Sequence, residues 1–181
     1  ELWDSKVGIH RDSAFYDVEG FLRGNSTLDP IEVEELGDIS GKCLLHLQCH
    51  FGLDTLSWAR LGADVVGVDF SGDAVDLAKE LSTKADLPAK FIQSDIFELP
   101  EKLDKKFDII FTSGGVLCWL PNMTRWAEII SHFLKSGGIF YIREFHPFSY
   151  IFDDETDDDV LRVRYPYFHC HEPMSYVSDS T

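Results

Sequence analysis

The sequence predicts a doubly wound α/β fold with a mostly parallel, Rossmann-like sheet. Short apolar runs alternate with helical segments from about residue 43 to residue 142. These runs are apolar at successive positions, which is typical of strands buried on both faces. Helices between such strands imply crossover connections, and a crossover makes the two strands it joins parallel. The 181 residues suit one domain, since domains run to about 100–200 residues.

The first elements follow a region of scattered aromatic residues. We predict a short helix over Asp29–Leu36, because the proline at its second position suits a first helical turn. Cys43–Leu47 is a continuous apolar run and is therefore the predicted first strand. A helix from Leu53 to Leu61 ends at Gly62, and Ala63–Asp69 forms the second strand.

The later elements carry a clearer helical periodicity. Ser71 can cap a helix whose apolar stripe consists of Ala74, Leu77, Ala78 and Leu81. Lys90–Gln93 and Phe107–Phe111 are the third and fourth strands. Pro121 begins the most clearly amphipathic helix, with an apolar face of Trp126, Ile129, Ile130, Phe133 and Leu134. Gly137 and Gly138 end that helix, and Ile139–Ile142 is the fifth strand.

The composition disfavours several kinds of partner. The formal charge is −16, from 16 basic and 32 acidic side chains, so the surface repels nucleic-acid phosphates. No apolar run reaches the roughly 18 residues of a membrane span, and the first residues do not resemble a secretory signal. The four cysteines form no CxxC pair, which indicates a reducing, cytoplasmic setting. We expect a monomer or a homodimer.

Candidate site residues follow the first two strands. In parallel sheets, ligands lie outside the carboxyl ends of the strands, near the point where strand order reverses. Gln48, Cys49 and Gly52 precede a helix whose unpaired N–H groups suit a carboxylate or phosphate. Asp69 can accept both hydroxyls of a ribose, and Phe70 can lie against an adenine. The alternatives are an ordinary strand–helix turn and a carboxylate that stabilises a helix N-terminus.

Further candidates follow the third and fourth strands. Asp95 can accept from an adenine amino group while the N–H of Ile96 donates to the ring. Ser113 begins a segment of small residues whose exposed carbonyls can receive an amino group. Trp119 can line a substrate pocket. Loop capping by Asp95 and core packing by Trp119 are the alternatives.

Taken together, these segments resemble the class I S-adenosylmethionine-dependent methyltransferases. The resemblance rests on Leu44–Gly52, Gly67–Ser71 and Ser94–Ile96 in that order, and on Leu134–Gly138, which is similar to the family's Leu-Lys-Pro-Gly-Gly turn. It is closest to a bacterial subgroup whose first motif reads His-Leu-Gln-Cys-His-Phe-Gly. The pattern is specific as a combination, although no single motif is.

The resemblance implies a function and a cofactor. It implies transfer of a methyl group from S-adenosylmethionine to a small-molecule acceptor. It places Gln48 and Gly52 beside the methionine part, Asp69 on the ribose, Asp95 and Ile96 on the adenine, and Ser113 near the α-amino group. The sequence departs from the family at three positions: most relatives carry Asp or Glu in place of His46, and glycine in place of Gln48 and His50.

The resemblance also implies a domain organisation. We expect a helical lid segment over residues 1–38, a cofactor-binding α/β core over 39–148, and an acidic loop with an incomplete C-terminal segment over 149–181. Family members add a helix and two strands after the fifth strand. Val160–Tyr165 is the main strand-like run here, so we expect this sequence to lack the last two strands. The acidic run at 153–159 is a predicted solvated loop.

Histidines and aromatic residues are the candidates on the acceptor side. A histidine with a pKa near neutrality can take a proton from a methyl acceptor, and His146 and His50 both follow strands. Trp3, Tyr16 and Phe21 are candidates for a lid over the substrate. Structural hydrogen bonds and plain helix packing remain the alternatives for these two groups.

Three other functions stay open from the residues alone. A zinc site could use His46, Cys49 and His50, or His169, Cys170 and His171, but the spacings match no zinc pattern and we expect no metal. An NAD-dependent oxidoreductase would also use Asp69, although the GxGxxG loop is missing. A non-catalytic domain that binds a nucleoside or a protein partner is the third.

Overall fold

The computed structural model describes residues 2–153 and 160–168. These residues belong to two compact units, which divide between Glu144 and Phe145. None of the helices in these ranges has the length and apolar character needed to cross a membrane.

The first unit contains one sheet of five parallel strands. The strands are β1 (Cys43–Leu47), β2 (Asp64–Asp69), β3 (Lys90–Gln93), β4 (Phe107–Ser113) and β5 (Leu134–Arg143). Their spatial order is β3-β2-β1-β4-β5. The order therefore reverses between β1 and β4, and the predicted doubly wound parallel fold is confirmed. The carboxyl end of β1 is the expected ligand position.

Helices precede and connect the strands. They are α1 (Leu2–Arg11), α2 (Val18–Leu22), α3 (Pro30–Leu36), α4 (Leu53–Arg60), α5 (Gly72–Lys84), α6 (Leu99–Lys102) and α7 (Met123–Phe133). Side-chain caps explain where several of them begin. Asp29 and Glu32 form a reciprocal capping box at α3, and the Ser71 hydroxyl accepts the N–H of Ala74 at α5.

The core occupies both faces of the sheet, as the apolar runs predict. Leu45 and Val66 lie in a cluster with the apolar face of α7, which is formed by Trp126, Ile129, Ile130 and Phe133. Their neighbours Leu44 and Val65 lie in a different cluster, with Trp58 of α4. Successive strand residues point to opposite faces, so a strand with no polar face must be covered on both sides.

Three sequence predictions need correction. The helix predicted to begin at Pro121 begins at Met123, because the Asn122 side chain accepts the N–H of Arg125 at 2.9 Å and caps it. The fifth strand begins at Leu134 rather than Ile139; Leu134 pairs with Phe107, and a register shift follows. Phe21 is fully buried in the core, with the Arg60 guanidinium 4.3 Å from its ring centroid, so it belongs to no lid.

The second unit begins with a short 3₁₀ helix over Pro147–Ile151, capped by His146. Phe152 and Val163 form an isolated antiparallel bridge, and Arg164 pairs with Asp153 at 2.9 Å. Most of the predicted acidic loop, residues 154–159, lies outside the described residues, as do His169, Cys170 and His171.

Candidate functional site

Hydrogen bonds tie the carboxyl ends of four strands together at one edge of the sheet. The N–H of His50, after β1, donates to Asp69 Oδ2 at 2.7 Å. The N–H of Ser94, after β3, donates to the carbonyl of Asp69 at 2.9 Å. On the other side, the hydroxyl of Thr112 in β4 donates to the carbonyl of Leu47 at 3.1 Å. The loops that carry the predicted site residues are therefore neighbours.

Asp69 is the central carboxylate of this edge. One oxygen accepts the N–H of His50, and the other accepts the N–H of Ser71 at 2.9 Å. Burial raises the pKa of Asp69, while these backbone donors oppose the rise. Each carboxylate oxygen can accept two hydrogen bonds, so Asp69 retains capacity for further donors.

The loop after β1 is strained at two residues that are not glycine. Gln48 has φ 58° and His50 has φ 51°, both in the left-handed region. Gln48 Oε1 and His50 Nδ1 are also buried, and the described part of the protein offers neither atom a hydrogen-bond partner. Strain and unsatisfied polar atoms are concentrated at ligand sites, where a bound molecule completes the hydrogen bonding.

Core packing requires a glycine at position 52, and the sequence alone does not show this. It lies at φ 76° just before α4, and a Cβ there would stand 2.6 Å from Cε1 of Phe91. The missing side chain thus makes room for a core ring. Cys49 is buried beside it, and burial raises the pKa of its thiol. Contacts of Gly52 and Cys49 with a cofactor stay predictions.

The loop after β3 is ordered by Asp95. Its carboxylate accepts the N–H of Phe97 at 2.8 Å and caps a 3₁₀ helix over Ile96–Glu98. Ile96 is buried in the core. Phe70, directly after β2, has 60% of its surface exposed, so its ring is accessible to a ligand.

Ser113, at the end of β4, contacts a carboxylate that sequence reasoning missed. Its hydroxyl donates to Oδ2 of Asp54 at 3.1 Å, and the hydroxyl of Thr27 donates to Oδ1 at 2.6 Å. Burial raises the pKa of Asp54. The sequence places Asp54 in the first turn of a helix, but it contains no signal that joins it to residues 27 and 113.

Helix α1 crosses the same edge of the sheet. Its Asp4 accepts the Ser71 hydroxyl at 2.6 Å, after β2. The ring of Trp3 lies 6.3 Å from that of His50 and 5.2 Å from that of Trp119, which follows β4. The ring of Tyr16 lies 5.5 Å from that of His50. The predicted pocket residues Trp3 and Tyr16 thus lie against His50, and Trp119 joins them through Trp3.

His50 pairs with a histidine that the sequence analysis did not consider. Nε2 of His50 lies 3.3 Å from Nδ1 of His10 in α1. Burial lowers the pKa of both, that of His50 to about 4, so both rings are neutral at neutral pH. Both rings are therefore weaker bases than a free imidazole, so His50 does not have the near-neutral pKa expected of a proton acceptor, and its catalytic role stays a prediction.

The candidates His46 and His146 have hydrogen-bond partners of their own. His46 is buried in the middle of β1, where its Nδ1 lies 2.8 Å from the Thr55 hydroxyl and burial lowers its pKa to about 3. His146 belongs to the second unit, and its side chain accepts the N–H of Phe148 at 3.2 Å. Among residues 2–153 and 160–168, no three His, Cys, Asp or Glu side chains are grouped to hold a metal ion.

The charge pattern defines what this edge can bind. The hydrogen bonds to Asp54, Asp69 and Asp95 come from backbone N–H groups and hydroxyls of the described residues rather than from lysine or arginine. Carboxylates held in this way retain lone pairs for further donors. The edge therefore suits a ligand that presents hydroxyl and amino donors.

Comparisons with known proteins show which family the chain resembles. A family model described as "Methyltransferase domain" matches residues 45–142. The ubiquinone biosynthesis O-methyltransferase of Photorhabdus laumondii is 26% identical over 130 residues, which cover 70% of this chain and 54% of that protein. The enzyme of the same name from Alkalilimnicola ehrlichii is 26% identical over 146 residues, covering 77% and 59%. The chain thus spans little more than half the length of these curated relatives.

Solved structures support the fold. A SAM-dependent methyltransferase from Aquifex aeolicus matches with a TM-score of 0.63 and 20% identity, over 87% of this chain and 77% of that one. An S-adenosylmethionine-dependent methyltransferase from Clostridium acetobutylicum matches with a TM-score of 0.62 and 18% identity, over 88% and 66%. At these identities the likeness concerns the backbone architecture alone.

Proposed function

The chain belongs to the methyltransferase domain family, and we propose that it binds S-adenosylmethionine and transfers the methyl group to a small-molecule acceptor. The observation that carries the proposal is the edge where the ends of β1, β2, β3 and β4 meet. Its carboxylates are held by N–H and hydroxyl groups, which leaves them able to accept from a nucleoside and an amino group.

The donor set at this edge fits the cofactor. Asp69 would accept the ribose hydroxyls, and the exposed Phe70 would cover one adenine face. Asp95 and the N–H of Ile96 would contact the adenine edge. Gln48, whose buried Oε1 has no partner among the described residues, would border the methionine part together with Cys49, Gly52 and Ser113.

The protein's contribution to the reaction is placement and exclusion of water. When bound, the cofactor supplies an activated methyl group on a sulfonium, so no protein group needs to form a covalent bond. Trp3, Tyr16 and Trp119 would enclose the acceptor beside His50. His50 would contact the acceptor, although its lowered pKa makes it a weak base for the acceptor's proton.

A small acceptor suits the composition better than a nucleic acid does. The net charge of −16 opposes the approach of a polyphosphate backbone. The candidate acceptor site is instead aromatic, with neutral imidazoles.

Binding measurements test the proposal directly. Calorimetric titration with S-adenosylhomocysteine and with NAD should give binding of the first alone. We expect Asp69→Asn to weaken that binding about a hundredfold, because about 1.5–3 kcal/mol is lost for each charge-assisted hydrogen bond. Asp64→Asn, at the opposite end of the same strand, is the matched control and should change affinity less than about twofold, since its surface ion pair is worth at most about 1 kcal/mol to stability.

A second variant guards against misfolding of Asp69→Asn. Phe70→Ala removes an exposed ring, so the fold should persist, and the lost stacking of about 1–3 kcal/mol should weaken binding about tenfold. Binding of NAD in place of S-adenosylhomocysteine, or unchanged affinity in both variants, would overturn the proposal. Binding without turnover over an acceptor panel would favour a non-catalytic nucleoside-binding domain instead.

A further inference from the structure

Asp54 links three separate segments of the chain at the end of β4. It lies in the first turn of α4, and its two oxygens have different partners. Oδ1 accepts the hydroxyl of Thr27, from the N-terminal segment, at 2.6 Å. Oδ2 accepts the hydroxyl of Ser113 at 3.1 Å. Ser57 supports Thr27 in turn, because its hydroxyl accepts the N–H of Thr27 at 3.2 Å.

This arrangement decides what Ser113 can offer a ligand. A serine hydroxyl has one proton and two lone pairs. Since the proton of Ser113 is donated to Asp54, only acceptor capacity remains on its oxygen. The negative charge behind the hydroxyl also polarises it, which strengthens any hydrogen bond that it accepts. Ser113 therefore suits an N–H donor, and a cationic one best, whereas a carboxylate would be repelled.

The nearby arginine is already paired. Arg143, the last residue of β5, contacts Glu32 Oε1 through Nε at 2.6 Å. Glu32 is fully buried, and this ion pair offsets part of the cost of burying both side chains. Within the described residues no lysine or arginine forms an ion pair with Asp54. Arg143 acts on Asp54 only through its charge, without an ion pair, and this is a smaller influence on the pKa of Asp54 than burial, so the carboxylate can still receive a cation from outside the chain.

We propose that Asp54 is a positioning residue that makes Ser113 an acceptor for the α-ammonium group of the methionine part of the cofactor. The inference rests on the proposed function and adds a residue that the family's pattern does not supply. Asp54 acts through Ser113 and is itself held by Thr27, so the N-terminal segment contributes to cofactor selection. The direction of its pKa agrees, since an incoming cation would stabilise a carboxylate whose ionised form is disfavoured by burial.

A purely structural role is the competing explanation. A carboxylate in the first turn of a helix stabilises it through the helix dipole, at about 0.3–1 kcal/mol. Loss of such a role would weaken every ligand of the site alike. The test must therefore compare two ligands that differ only in the amino group.

The experiment is a calorimetric titration with S-adenosylhomocysteine and with its deamino analogue, which keeps the adenosine, the thioether and the carboxylate. We expect Asp54→Asn to weaken the first about tenfold, as a charge-assisted hydrogen bond becomes a neutral one. Affinity for the deamino analogue should stay within about twofold or rise. Asp76→Asn on the exposed face of α5 removes the same charge and is the control.

A double variant tests whether Asp54 acts through Ser113. If it does, Asp54→Asn combined with Ser113→Ala should lose little more than Ser113→Ala alone, whereas independent roles would add. Equal losses for both ligands, or no loss for S-adenosylhomocysteine, would overturn the inference. Failure of the unmodified protein to bind S-adenosylhomocysteine would instead overturn the proposed function, so the two failures are distinguishable.

Discussion

The two edges of the sheet use aspartate in opposite ways. β2 begins with Asp64 and ends with Asp69. Asp64 is exposed and pairs with Lys105 at 2.7 Å, which lowers its pKa. Asp69 is held by two backbone N–H groups, and burial raises its pKa. One strand thus carries a neutralised carboxylate at its amino end and an unneutralised one at its carboxyl end.

β4 repeats the pattern. Its second residue, Asp108, pairs with Lys135 at 2.9 Å and accepts the N–H of Cys43, so that the pKa of Asp108 is lowered. It ends at Ser113, which donates to Asp54, a carboxylate whose pKa is raised by burial. At the amino ends of the strands, which we call the amino edge, the aspartates form ion pairs with lysines. At the carboxyl ends, the carboxyl edge, the aspartates accept hydrogen bonds from N–H and hydroxyl groups and can accept more. The difference indicates which edge is built for a ligand.

Two glycines allow the packing density at the two edges to be compared. Gly52 at the carboxyl edge and Gly41 at the amino edge have nearly equal φ values, 76° and 73°. A Cβ at Gly52 would stand 2.6 Å from Phe91, whereas one at Gly41 would meet nothing within 4 Å. We expect Gly52→Ala to lower the free energy of unfolding by about 3 kcal/mol, from left-handed strain plus overpacking.

Gly41→Ala is the matched control for that variant. It carries the same backbone strain without the clash, so its loss should be about 1 kcal/mol. Urea denaturation of both variants measures the difference. Equal losses would mean that the Phe91 ring moves aside freely, and the carboxyl edge would then be less tightly packed than the structure indicates.

His46 is buried in the middle of β1, between the two edges, and its lowered pKa makes the stability of the protein depend on pH. Its folded pKa is about 3, against an ordinary value of 6.5, because burial disfavours the charged ring. Between these values the unfolded chain binds a proton that the folded chain does not, so stability falls as pH drops from 6.5 toward 3. We expect His46→Gln to reduce the slope of unfolding free energy against pH by up to about 1.4 kcal/mol per pH unit between pH 6 and 5.

Urea denaturation at the two pH values measures this slope. His50→Gln should reduce it in the same direction, since burial also lowers the pKa of His50, to about 4. The variants' stability at pH 7 does not enter the comparison. A slope identical to that of the unmodified protein would show that His46 takes up its proton while the protein stays folded.

The strands and several site residues could be predicted because their signals are local. An apolar run marks each strand, and the parallel topology then assigns Asp69, Asp95 and Ser113 to one edge. The partners Asp54, His10 and Arg143 could not be found in this way. Their contacts join residues far apart in sequence, such as Arg143 with Glu32, and no local pattern encodes which distant side chain a carboxylate will meet.

The misplaced start of β5 has a similar cause. Gly137 and Gly138 are a strong local signal for the end of a helix, and they predict a helix that continues to residue 136. In the structure α7 ends at Phe133, and Leu134 already pairs with Phe107 of β4. The pairing partner is again distant, so tertiary contact overrides the local signal.

The smallest expected effect belongs to the amino edge. Lys135 contacts both oxygens of Asp108 at 2.9 Å, but both side chains are more than a third exposed. Water and salt screen such a pair, so we expect Lys135→Gln to change the free energy of unfolding by less than about 1 kcal/mol. The change should shrink further in 1 M salt, where charges are screened within about 3 Å. Affinity for S-adenosylhomocysteine should not change, and a loss comparable to that of Asp69→Asn would mean that the amino edge, not the carboxyl edge, receives the ligand.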